Sequence, residues 1–222
     1  MNSCFDVNSL RENFSQGVPV PYLIIDNFLP EEIFNSVAFE IDFLQPKDWT
    51  VFSNNKSYRQ ECRNLSDAPR LQSMAYSFQG SLFLKWIETI TGLEKLIADP
   101  HMRGGGVCRA SAGDSLGLHN DFNWNEQIRL TRRLNLILYM NKEWQDDWGG
   151  DLEFWNFDRT RCVTKISPRP NRLAIWLYDE NLIHGYPSPL SCPDNVFRQN
   201  FIQFYYSSNA THETPPHRSQ FI

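Results

Sequence analysis

His119 and Asp121 close the run Gly113-Asp-Ser-Leu-Gly-Leu-His119-Asn-Asp121 and stand two residues apart. On an extended backbone, alternate side chains point to the same side, so this imidazole and this carboxylate can take adjacent positions around one metal ion. A third ligand must come from elsewhere in the chain. His184, in Asn181-Leu-Ile-His184-Gly, follows the strand-like run 173–178 and is placed to supply it. Two imidazoles and one carboxylate form the facial triad of non-haem Fe(II) oxygenases. Three protein ligands on an octahedral ion leave three positions open, enough for a bidentate 2-oxo acid and O2. A 2-oxo diacid has a second, remote carboxylate that needs a cation. Arg198, in Phe197-Arg-Gln-Asn-Phe-Ile-Gln-Phe-Tyr-Tyr206, offers a planar fork that binds a carboxylate through two hydrogen bonds.

Each part alone has a plainer reading: a surface polar pair, a loop histidine, an arginine on an edge strand. Order and strand context together favour the metal. Two rival chemistries use the same ligands. A non-catalytic metal- or ligand-binding jelly roll has no use for Arg198, because a structural zinc site needs no carboxylate clamp. A hydrolytic zinc enzyme needs a general base beside His119, and the neighbouring sequence positions offer no fitting one.

The elements that must position these residues can be read from periodicity. A strand is expected over 22–26, then a helix over about 31–44 with Pro30 at its first position, where a missing N–H costs nothing. Ile33, Phe34, Val37, Ile41 and Leu44 recur at helical spacing and predict a core-facing stripe. A second helical region covers about 69–91, broken near Gly80 and stopped at Gly92. The stretch 46–68 is polar, with two possible short strands. Strands follow at 107–110, 133–140, 152–156, 162–166, 172–178 and 197–206, separated by turn signals such as Asp147-Trp-Gly-Gly150. Helices first and short strands after predict an α+β, mainly β domain. Residues 1–18 read as a loosely held leader, 19–210 as one domain with a helical flank at about 30–92 and a catalytic half at about 104–207, and 211–222 as a C-terminal tail. The tail holds His212 and His217 and is expected to lie over the barrel.

Composition narrows the class. Hydrophobic residues make up 41% and charged residues 21%, enough apolar material for a sizeable core. The 14% aromatic content favours strands. A net charge of -5 argues against nucleic acid or an anionic membrane as a partner. Cys4, Cys62, Cys108, Cys162 and Cys192 are odd in number, scattered and without a CxxC pair, so they read as free thiols of a cytoplasmic protein. Neither an apolar signal stretch nor a run long enough to span a bilayer is present.

At these residues the sequence resembles the prolyl 4-hydroxylase-like branch of the 2-oxoglutarate/Fe(II) oxygenase superfamily. The opening Tyr22-Leu-Ile-Ile-Asp-Asn-Phe-Leu-Pro30, the stretch Arg132-Arg-Leu-Asn-Leu-Ile-Leu-Tyr-Met-Asn141 and the turn Lys142-Glu-Trp-Gln-Asp-Asp-Trp-Gly-Gly-Asp-Leu152 carry the likeness along with the triad. The resemblance implies a distorted double-stranded β-helix, a jelly roll with iron inside its open end. It implies Fe(II), 2-oxoglutarate and O2 as requirements, and succinate and CO2 as products. It matches His119, Asp121 and His184 to the iron ligands, Arg198 to the clamp, Tyr139 to an aromatic that helps hold 2-oxoglutarate, and Leu152 to an apolar wall. Many relatives carry a tyrosine nine or ten residues before the first histidine. Here Ala110 and Arg109 stand in those places, and Arg109 becomes a further candidate for co-substrate or substrate contact. The substrate expected is a prolyl residue of a protein or a small polar metabolite. Asn123 and Trp124 are expected at the mouth of the site, Arg103-Gly-Gly-Gly106 as bare flexible backbone beside it, and the proline-rich loop after His184 as its border.

Overall fold

Side-chain alternation along one strand divides the interior in two. In Leu134-Asn-Leu-Ile-Leu-Tyr139, Leu134, Leu136 and Leu138 belong to one buried cluster, and Ile137 and Tyr139 to another. A period of two sends neighbours to opposite faces, so both faces of this strand are covered. The computed structural model describes residues 6–54, 57–208 and 215–222. It shows helices over one face and the inside of a curled sheet against the other.

In chain order the elements are α1 (Val7–Ser15), β1 (Tyr22–Ile25), α2 (Glu31–Ile41), β2 (Thr50–Asn54), β3 (Ser57–Cys62), α3 (Pro69–Gln79), α4 (Ser81–Thr91), β4 (Ile97–Ala98), β5 (Gly106–Ala110), β6 (Leu116–Asn120), β7 (Trp124–Asn125), β8 (Leu130–Tyr139), β9 (Leu152–Trp155), β10 (Cys162–Ile166), β11 (Leu173–Leu177), β12 (Ile183–Tyr186), β13 (Arg198–Ser207) and β14 (Gln220–Phe221). Pairing runs β1-β11-β8-β13-β5-β3-β6-β12-β9-β10. The β3 strand is the seam: Gln60 pairs with Arg109 on β5, and Ser57 with Leu116 on β6. Ile137, Ala174, Trp176, Ile202 and Phe204 from one wall meet Leu152, Phe154 and Ile166 from the other inside the barrel. This is a mainly β jelly roll with flanking helices, as the sequence predicts.

The helices bury one face each. Phe83, Ile87 and Ile90 of α4 recur at helical spacing and pack into the outer core with Phe34, Leu71, Leu136 and Phe201. Each such burial removes an apolar side chain from water, worth about 1.5–3 kcal/mol. Gly80 breaks α3 from α4, and Gly92 ends α4 in the left-handed region at φ 72, both where expected. Three expectations change. The leader is not loose over its whole length: Asp6 accepts hydrogen bonds from the Asn8 and Ser9 amides and caps α1, whose Leu10 and Phe14 lie in the core. Ile33 does not join the core stripe; α2 buries Phe34, Val37, Ala38 and Ile41, and Ile33 is 48% exposed. The glycine run at 104–106 is packed rather than free. A Cβ on Gly106 would stand 2.5 Å from the Cys62 carbonyl oxygen, so β5 can lie against the end of β3 only without one.

Candidate active site

Register brings two histidines together. β12 pairs with β6 so that His184 lies opposite His119, and their ring centroids are 4.6 Å apart. Directly opposed residues of antiparallel strands have neighbouring Cβ atoms, which is why ligands distant in sequence converge here. Asp121, just past the end of β6, turns its carboxylate between them. Oδ1 is 3.7 Å from His119 Nε2, and Oδ2 is 3.4 Å from His184 Nε2. The three candidate ligand atoms lie within 4.8 Å of one another.

The donor set fits a cation. His119 Nδ1 is 2.9 Å from the Gly117 carbonyl, which can only accept, so Nδ1 carries the proton and Nε2 presents a lone pair. Burial, reinforced by the adjacent His184 ring, pushes His119 down to about 3. Burial also lowers His184. Both rings are neutral near pH 7, the form that ligates. Burial works to raise the Asp121 carboxyl, but the Arg132 guanidinium and the two imidazoles outweigh it and hold the group below its ordinary value. The bare Nε2 of His119 and the Asp121 carboxylate face each other at 3.7 Å, which is repulsive unless a cation stands between them.

Asp121 is itself fixed from behind. Arg132 Nη2 is 3.0 Å from Oδ2, an ion pair that is not aligned as a hydrogen bond. The Asn135 amide donates to the same oxygen at 3.3 Å, and Arg132 Nε donates to Asn135 Oδ1 at 2.6 Å. The guanidinium lies over the rings of Phe204 (3.5 Å) and Phe122 (4.5 Å).

A cavity of about 190 Å³ opens over the triad, with Phe52, Arg59, Phe122, Trp176 and Phe221 in its walls. A smaller cavity of about 40 Å³ shares Arg59, Leu116, Ile137, Leu152 and Ile202 with the first and ends at Arg198, Tyr186 and Asn200. Arg198 is buried. Its Nε donates to the Gly150 carbonyl at 2.8 Å, and Nη2 donates to the Tyr139 hydroxyl at 3.4 Å.

The triad, Leu152, Arg198 and Arg109 border these two adjoining cavities, with differences in detail. Leu152 lines both cavities. Tyr139 stands behind Arg198 rather than in the wall of the small cavity. Arg109 borders that cavity, but its guanidinium donates to Gln60 at 2.6 Å and is held between Trp49 (3.9 Å) and Phe197 (4.9 Å). Asn123 does not face the mouth. It is fully buried, accepts from the His217 amide at 2.8 Å and donates to the Pro215 carbonyl at 3.1 Å, so it anchors the tail. Trp124 lies on β7, paired with Thr131, and does not line the cavity over the triad. The loop after His184 does not border the mouth either. Leu190 and Cys192 are buried with Trp148 and Tyr186, and the Leu190 amide donates to the Asp114 carbonyl at 2.9 Å, which places the loop at the Arg198 end. His212 lies outside the described residues.

Several residues were not singled out from the sequence. Arg132 and Asn135 lie inside the stretch that carries the family likeness, which was the available signal. Arg59 borders both cavities and gives both ends of its guanidinium to Glu61, with Nε at 2.8 Å and Nη2 at 2.5 Å; Glu61 also accepts from Arg63 at 2.8 Å. Phe221 stacks on His119 at 5.0 Å, on a strand that adds to the edge of β6. Nothing local in sequence announces either.

The family model of the 2OG-Fe(II) oxygenase superfamily matches residues 105–220. No curated protein matches the chain in sequence. Among solved structures, the chain is similar to a prolyl hydroxylase of Trichoplax adhaerens in complex with a hypoxia inducible factor oxygen degradation domain peptide. The TM-score is 0.62 and the identity 19%, covering 90% of this chain and 86% of that one. It is also similar to a Pseudomonas putida prolyl-4-hydroxylase (TM-score 0.56, 17% identity, 89% and 98% covered). A third similar structure is HygX of Streptomyces hygroscopicus with nickel, 2-oxoglutarate and hygromycin B bound (TM-score 0.59, 12% identity, 90% and 88% covered). With its double-stranded β-helix and a His-Asp-His cluster inside, the chain belongs to the 2OG-Fe(II) oxygenase superfamily, the enzymes that use Fe(II), 2-oxoglutarate and O2.

Proposed function

We propose that His119, Asp121 and His184 hold the Fe(II), that Arg198 grips the far carboxylate of 2-oxoglutarate, and that the enzyme hydroxylates a C–H bond on an amino-acid-sized group. The group is a prolyl residue of a protein or a small polar metabolite. One observation carries this reading: the metal cluster lines one cavity, a buried arginine lines the next, and the two share an apolar wall of Leu116, Ile137, Leu152 and Ile202 that we read as the waist of one passage. 2-Oxoglutarate has the same pattern, with a chelating oxo acid, two methylenes and a carboxylate. Bound there, Fe(II) and 2-oxoglutarate supply an O2-dependent oxidation that releases succinate and CO2.

The chain's own residues bind, orient and exclude water. Arg132 and Asn135 hold Asp121 so that it presents an oxygen to the metal. Tyr139 and the Gly150 carbonyl hold Arg198 in place. Trp176 and Phe154 stand edge-on to His184 at 5.8 and 6.3 Å, keeping that side of the site dry. The cavity of about 190 Å³ admits one small group at a time, and Arg59 gives its wall a cation. A reducing, cytoplasmic setting fits Cys62, Cys108, Cys162 and Cys192, which are all free thiols. Among the described residues no helix is long and apolar enough to cross a membrane.

The test is anaerobic. Fe(II) with 2-oxoglutarate should give a weak visible charge-transfer band in the wild-type protein and none in His184→Ala. If the wild type shows no band with both present, this site does not bind the pair as a chelate.

A further inference from the structure

The deep end of the passage holds more polar groups than the arginine needs. Arg198 and Asn200 share the inward face of β13, and Tyr186 lies two residues beyond His184 on β12. All three side chains line the small cavity. Tyr186 is 5% exposed and Asn200 is 4% exposed. Neither the Tyr186 hydroxyl nor the Asn200 carboxamide makes a hydrogen bond to any described residue. Polar ends that border a cavity without a protein partner are placed to meet a ligand there.

The placement of Tyr186 is specific. The Arg198 guanidinium carbon lies 4.3 Å from the centre of the Tyr186 ring, nearer than its 5.2 Å from Tyr139. Ala110, opposite Arg198 on β5, is small, and Tyr186 shares a buried cluster with it. With Nε given to Gly150 and one Nη2 proton to Tyr139, the guanidinium keeps N–H groups for an anion. Ile137 and Ile202, paired with each other, separate this level from the triad. One step of two residues along a strand is about 6.6 Å, which suits a two-methylene spacer.

We infer that Tyr186 and Asn200 complete the co-substrate pocket, with the Tyr186 hydroxyl donating to the far carboxylate of 2-oxoglutarate beside Arg198. This rests on the reading of the site proposed above. Burial raises the Tyr186 phenol, with Arg198 opposing, so the hydroxyl keeps its proton and can donate. A hydroxyl that donates to a carboxylate in a dry pocket is a charge-assisted hydrogen bond, the stronger kind.

Tyr186→Phe removes the hydroxyl and keeps the ring that packs on Arg198. Its affinity for 2-oxoglutarate, titrated anaerobically through the Fe(II) charge-transfer band, should fall about 10- to 100-fold, the loss of a hydrogen bond to a charged group. Its affinity for pyruvate should not change, since pyruvate has the same chelating head and no far carboxylate. Asn200→Ala should show the same selectivity with a smaller loss. Unchanged 2-oxoglutarate affinity in Tyr186→Phe would overturn the inference while leaving the site reading intact. Equal losses for both acids would also overturn it, by showing an effect on the metal end. A wild type without any band would remove the site reading and this inference together.

Discussion

Arg132 Nη2 stands 3.0 Å from Oδ2 of Asp121, so a candidate iron ligand is paired with a buried guanidinium through the oxygen that also faces His184. Arg132 is 1% exposed and held against Phe204 and Asn135. This ties one carboxylate oxygen and leaves the other for the metal. Groups that orient a ligand from behind typically contribute about 10–100-fold to metal affinity. Arg132→Gln should therefore bind Fe(II) or Co(II) about 10–100-fold more weakly in competition with a chelator. Once metal is saturating, 2-oxoglutarate affinity should be near that of the wild type. Unchanged metal affinity would make Arg132 a core residue only.

The clamp makes a second prediction. Arg198→Ala should weaken 2-oxoglutarate binding by about 2–5 kcal/mol, because the far carboxylate would be left buried without its partner. Arg198→Lys keeps the charge but loses the fork, so it should fall between alanine and wild type. Isothermal titration with metal-loaded protein measures both. Equal binding by the alanine variant would move the clamp to Arg59 or Arg109, the other arginines that border the cavity.

Gly150 packs against Arg198, the proposed clamp, and its replacement is the third prediction. It has φ 77, and a Cβ there would stand 2.7 Å from Leu190 Cδ2 and 3.0 Å from Arg198 Cδ. Its carbonyl accepts from Arg198 Nε. Gly150→Ala combines left-handed backbone strain of about 1–3 kcal/mol with displacement of the arginine. Thermal melts should show lower stability, and 2-oxoglutarate affinity should fall even where the protein is folded. A stable variant with normal affinity would show that Leu190 and Arg198 move aside freely.

These predictions draw on residues of very different visibility in sequence. The proposed ligands His119, Asp121 and His184 and the proposed clamp Arg198 stand out in the sequence because order, strand context and ligand chemistry agree. The helix α4 was legible because Phe83, Ile87 and Ile90 repeat at one period and Gly92 stops it. The helix α1 was not, since Leu10 and Phe14 alone make a thin stripe. The strand β12 was missed because four residues, one of them glycine, show no pattern. Its identity comes from pairing with β6 and β9 on either side. Arg59 and Tyr186 reach the passage only through such pairings between distant segments, which local patterning cannot express.

The tail gives the last prediction. Gln220 and Phe221 pair with Asn120 and His119, and the Ile222 amide donates to the Leu118 carbonyl at 3.0 Å. Ser219 Oγ accepts from the Phe122 amide at 3.2 Å, and Asn123 holds Pro215 and His217. The segment thus runs along the free edge of β6 and sets the Phe221 ring 5.0 Å from His119, at 29° to its plane. Phe221 is 36% exposed, so it is a wall between the cavity and solvent rather than a core residue. Its replacement by alanine should open that wall without touching a ligand atom. Metal stoichiometry should be unchanged, while loss of Co(II) to an external chelator should be several-fold faster. Deleting residues 215–222 should have the same effect, only larger, because the pairing along β6 goes with it. If both variants lose metal at the wild-type rate, the strand does not shield the site; if stoichiometry falls, the tail contributes to ligation.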